Sequence, residues 1–398
     1  MFSLNKKLDI NLKNCMASKI RKNYRVIIKC SKFQDSIIKK ISSYKGELIR
    51  NIKPCNIISA NLNAKAIERL LEYPEVEYIC FDEYLFLCGM SVPTANKTRL
   101  SSKTNITGKG VGVGIVDSGV YPHPDLLTPY NRISTFVDLI SDLKHPYDDN
   151  GHGTCTCGIL AGSGEKSNGM YRGVAPECNL HCYKAFDRLG KGFVSDVLYA
   201  IECLIEESDK YNIKILCLPF ELLYYNTFIQ KCFDNIFKLA TAKNITPVVP
   251  SGSNKNSEGS ITGIALSKEC ITVAGIDTTS IIKPYPYSSA GNLKKDTKPD
   301  IAAACVDIVS LNCNVNYISE KNGVKMYPKK LNASYKSYTG TSLAAAYISG
   351  ICALLYQNDP RLTFKDTVSL LKVSCEPFDI PKNYQGEGKV NINKVIKK

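Results

Sequence analysis

The chain has 398 residues, of which 44% are hydrophobic, 22% charged and 9% aromatic, with a formal net charge of +14. That length leaves room for a large core and about two to three domains, and the composition excludes collagen-like, coiled-coil and intrinsically disordered chains. The longest apolar candidate, Gly350 to Tyr356, is far shorter than the roughly 18 residues a membrane helix needs, so no membrane partner is expected.

Residues 1–23 are broken by charges throughout and carry no apolar run of the kind a secretory signal requires. They read as an N-terminal extension, and a cytoplasmic setting is expected, with spore association or non-classical release left open. From Tyr24 the pattern predicts a strand (YRVIIKC), a helix from Asp35 to Tyr44, a strand from Asn56 to Leu62, a helix from Ala64 to Leu71 and a strand from Val76 to Cys80, which together make a small α+β unit over 24–90. Its second helix stops before Pro74, which cannot continue a helix. Residues 91–109, rich in Ser, Thr, Asn and Gly, read as a linker.

Over 110–398 short apolar strands alternate with helices. The predicted strands are VGVGIV (111–116), Asn179 to Ala185, IKILCL (213–218) and ITPVVP (245–250), and the predicted helices run from Ser195 to Ser208 and from Phe228 to Lys243. Continuous apolar strands in this alternation predict a mainly parallel α/β sheet with helices on both faces. Ligands of such sheets bind at the carboxyl ends of the strands.

The basic excess is scattered in pairs such as Lys39-Lys40 and Lys294-Lys295, without a basic stripe or a nucleic-acid module, so no nucleic-acid partner is expected. The 17 cysteines are an odd number, and reduced, buried thiols fit better than a disulfide framework. The pairs Cys155/Cys157 and Cys178/Cys182 lack the matching second half of a structural zinc site.

Three short motifs carry chemistry: Asp117 in GIVDSGV, His152 in DDNGHGTC and Ser342 in YTGTSLAAAYISG. Each alone has an ordinary structural reading, as a turn, a packed histidine or a helix start. Together they supply what a serine needs, because its hydroxyl is a poor nucleophile until an imidazole takes the proton. A carboxylate on the other ring nitrogen then fixes the tautomer and stabilises the imidazolium.

In that order, and with the flanking GKGVGVGIVDSGVYPHPDL, DDNGHGTCTCGILAG, GVAPE and KPDIAA, the chain resembles the subtilase (subtilisin-like serine peptidase) family, most of all its intracellular bacterial branch. The resemblance implies a subtilisin-like catalytic domain over 110–398 preceded by a propeptide-like inhibitory domain over 24–90. It implies a serine endopeptidase with Asp117, His152 and Ser342 as the triad and Asn254 as the oxyanion-hole donor. Cys217-Leu218-Pro219 stand for the substrate-aligning strand, and the chain is expected to cut itself between Leu87 and Ser91. Partners implied are protein or peptide substrates and the chain's own propeptide in the cleft, with the enzyme a monomer. No cofactor is needed for the chemistry; a structural calcium is the metal the family allows, with Asp125 as candidate ligand.

Two departures from the family pattern stand out: Ser253 replaces the glycine before Asn254, and Pro219 lacks an N–H for a substrate backbone. They keep an alternative open, a catalytically impaired subtilase-like regulatory or scaffold protein. Cys155, close to His152, is expected as a buried, inert thiol.

Overall fold

The computed structural model describes residues 7–18, 21–31, 33–87, 105–222, 226–292 and 298–396. It divides into two compact units, Met1–Tyr84 with Phe193–Glu202, and Leu85–Gly192 with Cys203–Lys398. Most of residues 91–109 lies outside the described residues.

The first unit runs α1 (Ile10–Ala17), β1 (Tyr24–Cys30), α2 (Gln34–Ser43), β2 (Glu47–Ile52), β3 (Ile57–Leu62), α3 (Ala64–Leu71) and β4 (Val76–Phe81). The strands form an antiparallel sheet in the order β2-β3-β1-β4. Helices α2 and α3 close one face: Ile37, Ile41, Ile67 and Leu70 recur at helical spacing and are all buried against Val26 and Ile28, the burial that stabilises helices this short. Helix α3 starts where the Asn63 side chain accepts the Ala66 N–H at 2.9 Å, an N-cap. Helix α1 has no counterpart in the sequence reading. Its apolar periodicity is weak, and it forms because Asp9 caps it and Leu12 and Met16 sink into the unit's core.

Residues Phe193–Glu202 join this unit through ion pairs. The Arg25 guanidinium reaches Asp82 and Asp196, both at 2.7 Å, and Asp82 also accepts the Ser195 N–H at 3.0 Å. Arg25 lies over the Phe193 ring as well. Sequence patterning cannot reveal such a grouping, because 170 residues separate Arg25 from Ser195.

The second unit is built on a large sheet. Its strands and helices in chain order are β5 (Tyr84–Leu87), β6 (Gly112–Asp117), α4 (Pro124–Leu127), β7 (Ile133–Asp138), α5 (His152–Ala161), β8 (Asn179–Lys184) and β9 (Lys191–Phe193). Then come α6 (Val194–Glu206), whose residues up to Glu202 belong to the first unit, α7 (Ser208–Tyr211), β10 (Ile213–Cys217), β11 (Phe220–Leu222), α8 (Thr227–Ala242), β12 (Thr246–Pro250) and β13 (Ile271–Asp277). They are followed by β14 (Lys283–Pro284), β15 (Ile301–Ala304) and α9 (Thr341–Asn358). The order β15-β13-β12-β10-β6-β8-β7 is parallel at every pairing, as the apolar strands predict. Every residue of β6, β12 and β13 is buried, which only a sheet covered on both faces allows. This is the expected mainly parallel α/β fold, accompanied by a small α+β unit.

Helix α9 is buried continuously from Thr341 to Tyr356, so its sequence is apolar all round and shows no amphipathic stripe. Small residues let it approach its neighbours: a Cβ on Gly350 would lie 2.7 Å from Val174 Cβ. Among the described residues no helix is long and apolar enough to cross a membrane, and every cysteine is a free thiol.

His181 in β8 is 1% exposed, stacks on Tyr211 at 4.8 Å between ring centroids, and pairs Nδ1 with Thr135 Oγ1 at 3.1 Å. Its Nε2 is buried with no hydrogen-bond partner among the described residues. Burial pushes its pKa down to about 4. The unfolded chain therefore takes up this proton first as pH falls, so stability is full above about pH 6.5 and is lost progressively toward pH 4. The shift is worth about 3 kcal/mol. Thermal melts at about pH 7 and pH 5 should show a larger loss in the wild type than in His181→Gln; equal losses would rule His181 out as the source.

Candidate active site

Asp117 ends β6, at the carboxyl edge of the parallel sheet, and is 1% exposed. Its Oδ1 accepts the Ser118 N–H at 2.6 Å. His152 opens α5, and its Nδ1 lies 2.8 Å from Asp117 Oδ1 and 3.0 Å from Oδ2. A carboxylate on Nδ1 keeps the proton there and leaves Nε2 as the basic nitrogen.

A second carboxylate fixes that geometry. Asp148 is fully buried; its Oδ1 accepts from Ser118 Oγ (2.9 Å) and the N–H groups of Asn150 (3.1 Å) and Gly151 (2.8 Å), and its Oδ2 from Thr154 N (2.9 Å) and Oγ1 (2.6 Å). Ser118 Oγ in turn accepts the Gly153 N–H at 3.0 Å. Asp148 thus ties the end of β6 to the start of α5. The approach there is so close that a Cβ on Gly153 would lie 2.1 Å from Gly119 O, which is why glycine follows His152. Asp148→Ala should cost about 3 kcal/mol, since it strands several buried donors, and should lower turnover about 100-fold by letting the imidazole drift. Thermal melts and kcat on a peptide substrate check both. Unchanged kcat would mean that the helix start holds His152 unaided.

Ser342 lies in the first turn of α9, at the positive end of an 18-residue helix. It is buried, and its Oγ donates to Pro219 O at 3.0 Å. Helices α5 and α9 pack on each other, which brings His152 and Ser342 onto neighbouring elements. Asn254 follows β12, its N–H donating to Ser289 Oγ at 2.9 Å. Its side-chain amide donates to Ser260 O and Thr262 Oγ1, both at 3.4 Å. Thr341 Oγ1 donates to Gly252 O at 3.3 Å, tying the serine helix to the loop that carries Asn254.

Other expected site residues are placed differently. Cys217 lies in β10 between Val248 and Ile115, and both it and Leu218 are fully buried. Pro219 meets Ser342 through its carbonyl. The edge that pairs with an extended segment begins one residue later: Phe220, Glu221 and Leu222 of β11 face Leu87, Phe86 and Leu85 in antiparallel register. The offset arises because the chain stays bonded to β12 through the Leu218 N–H and turns at Pro219, where the Phe220 N–H donates to Leu218 O at 2.9 Å.

Asp125, the candidate calcium ligand, is held by donors of the chain itself. It is fully buried, and its oxygens accept the N–H groups of Gly164 and Lys166, both at 3.1 Å, and the Tyr335 hydroxyl. Among the described residues no group of three or more His, Cys, Asp or Glu is placed to hold a metal. Burial pushes the Cys155 thiol well above its ordinary range, in keeping with an inert thiol.

A buried aspartate, a partly exposed histidine bonded to it and a serine at the start of a core helix, at the carboxyl edge of a parallel sheet, are the parts of a serine hydrolase. Residues 108–388 match the model of the Subtilase family. The chain is 33% identical over 367 residues to the serine protease AprX of Bacillus subtilis strain 168, an alignment covering 88% of this chain and 81% of that one. Subtilisin E of the same strain is 25% identical over 358 residues, covering 88% and 84%. The crystal structure of fervidolysin from Fervidobacterium pennivorans, a keratinolytic enzyme related to subtilisin, shares the fold with a TM-score of 0.68 at 18% identity. That match covers 94% of this chain and 60% of fervidolysin's. The chain belongs to the subtilase family, and it is a subtilisin-like serine hydrolase.

Proposed function

We propose that the protein is a serine endopeptidase that works through Ser342, His152 and Asp117. His152 Nε2 takes the Ser342 proton as Oγ attacks a peptide carbonyl, then returns it to the leaving amine, and water releases the acyl group. The Ser342 N–H and the Asn254 amide hold the oxyanion. A developing oxyanion offers the amide one charge-assisted bond in place of two contacts of 3.4 Å. The observation that carries the reading is the 2.8 Å contact of Asp117 with His152 Nδ1.

In the same reading the small α+β unit is a propeptide and its tail is the first substrate. In support, Leu85–Leu87 form the middle strand between β11 and β9, and β11 starts beside Pro219, whose carbonyl holds the Ser342 hydroxyl. Cleavage follows between Leu87 and Ser91; of that stretch, Cys88, Gly89, Met90 and Ser91 lie outside the described residues. Protein or peptide substrates and its own tail are then the partners of a monomeric enzyme. Free, mostly buried thiols suit action in the cytoplasm.

The test is fluorophosphonate labelling of the full-length chain together with intact mass. The expected result is a label on Ser342 and a new N-terminus between Leu87 and Ser91. A folded chain that stays whole and unlabelled would instead support the catalytically impaired regulator or scaffold.

A further inference from the structure

Glu221 is an acidic residue in an otherwise apolar run, PFELL. In β11 it is 7% exposed, and its carboxylate reaches across to the loop that carries Asn254, where Oε2 accepts the Ser253 N–H at 2.8 Å and Oε1 accepts the Ser253 hydroxyl. It packs so closely that a Cβ on Gly252 would lie 2.7 Å from Oε2. The unusual Ser253 and Glu221 are therefore one feature, a polar bridge from the substrate-pairing strand to the Asn254 loop.

The place of this bridge follows from register. Leu85–Leu87 lie antiparallel on β11 with Phe86 opposite Glu221 and Leu87 opposite Phe220. A substrate continued one residue further stands opposite Pro219, whose carbonyl accepts the Ser342 hydroxyl, and this is the residue whose carbonyl is attacked. Opposed side chains in an antiparallel pair share a face, as do residues two apart on one strand. The side chain before the cleaved bond is thus directed to the face of Glu221, toward the place its carboxylate and Ser253 occupy.

Building on the serine endopeptidase reading, we propose that Glu221 determines specificity by occupying the space this side chain would enter, so that the enzyme cleaves after small residues (Gly, Ala, Ser, Cys) and excludes aromatic and long ones. Both carboxylate oxygens are bonded to Ser253 and turned into the loop, so the bridge acts by occupying volume. In the chain itself Leu87 is followed by Cys88 and Gly89, both small.

The experiment compares kcat/KM on a peptide series varying only the residue before the cleaved bond (Ala, Phe, Arg), for wild type, Glu221→Gly and Glu221→Gln. Fluorophosphonate titration counts competent sites, and thermal melts check folding. The wild type should favour Ala over Phe by at least about 100-fold, the discrimination a pocket of limited volume can reach. Glu221→Gly should cut that ratio at least about tenfold by raising the Phe rate, while Glu221→Gln, which fills the same volume, keeps it. A wild type that takes Phe as readily as Ala overturns the proposal even if neither variant folds. So does a ratio unmoved in Glu221→Gly. A wild type that prefers Arg, with the preference lost in Glu221→Gln, would make the carboxylate a charge selector and overturn volume exclusion. Labelled enzyme without a size preference defeats this inference alone; neither labelling nor cleavage defeats the endopeptidase reading and this one with it.

Discussion

Ser342→Ala lowers turnover about 10⁶-fold and leaves the chain at full length. In the proposed mechanism the loss is that large because the hydroxyl is the group that forms a bond to the substrate. His152 and Asp117 can then activate nothing, and what remains above the uncatalysed rate comes from oxyanion stabilisation and binding alone. Removing one oxygen from a fully buried side chain forfeits the bond to Pro219 O and little packing, so the variant should melt within about 1 kcal/mol of the wild type. Intact mass, fluorophosphonate labelling and kcat on one peptide decide the matter together. A variant that still removes its N-terminal segment would show that a second protease does the cutting, and residual turnover near the wild-type rate would move the nucleophile elsewhere.

Asp117→Asn is the second large effect, about 10⁴-fold in kcat. The substitution preserves shape, so the contacts of 2.8 and 3.0 Å to His152 Nδ1 survive as distances. Their chemistry changes: an amide NH₂ turned to the ring favours the tautomer with its proton on Nε2, the nitrogen that has to take the serine proton. The negative charge that stabilises the imidazolium is also gone. An amide that keeps its oxygen on the Ser118 N–H, where Asp117 Oδ1 stands at 2.6 Å, puts its NH₂ in the place of Oδ2, 3.0 Å from Nδ1. Labelling of Ser342 should slow in parallel with kcat. Loss of labelling together with a collapsed melting transition would mean that Asp117 holds the fold and not the tautomer.

The two substitutions separate what was legible in the sequence from what was not. Asp117, His152 and Ser342 stand in short segments whose local structure follows from local composition. GVGIVD is a continuous apolar strand that ends in a carboxylate, and the run after Ser342 is apolar all round and long enough for a core helix. Period and length carry such elements, and the strands and helices flanking the site fall close to their expected places. Helix α1 escaped because its stability lies in tertiary burial of Leu12 and Met16. The partners of Asp125 were not legible either, because the N–H groups of Gly164 and Lys166 reach it from a loop about 40 residues further along the chain.

The sequence by itself determined the alternation of elements, the chemical groups of the site and their order along the chain, all set by side-chain chemistry within a few residues. Only the tertiary structure decided that β11 rather than Cys217-Leu218 offers the pairing edge, that Asp148 ties the end of β6 to the start of α5, and that Glu221 meets Ser253 32 residues away. Strand pairing and buried polar bridges join distant segments through backbone groups every residue possesses, so they leave no local signature to read.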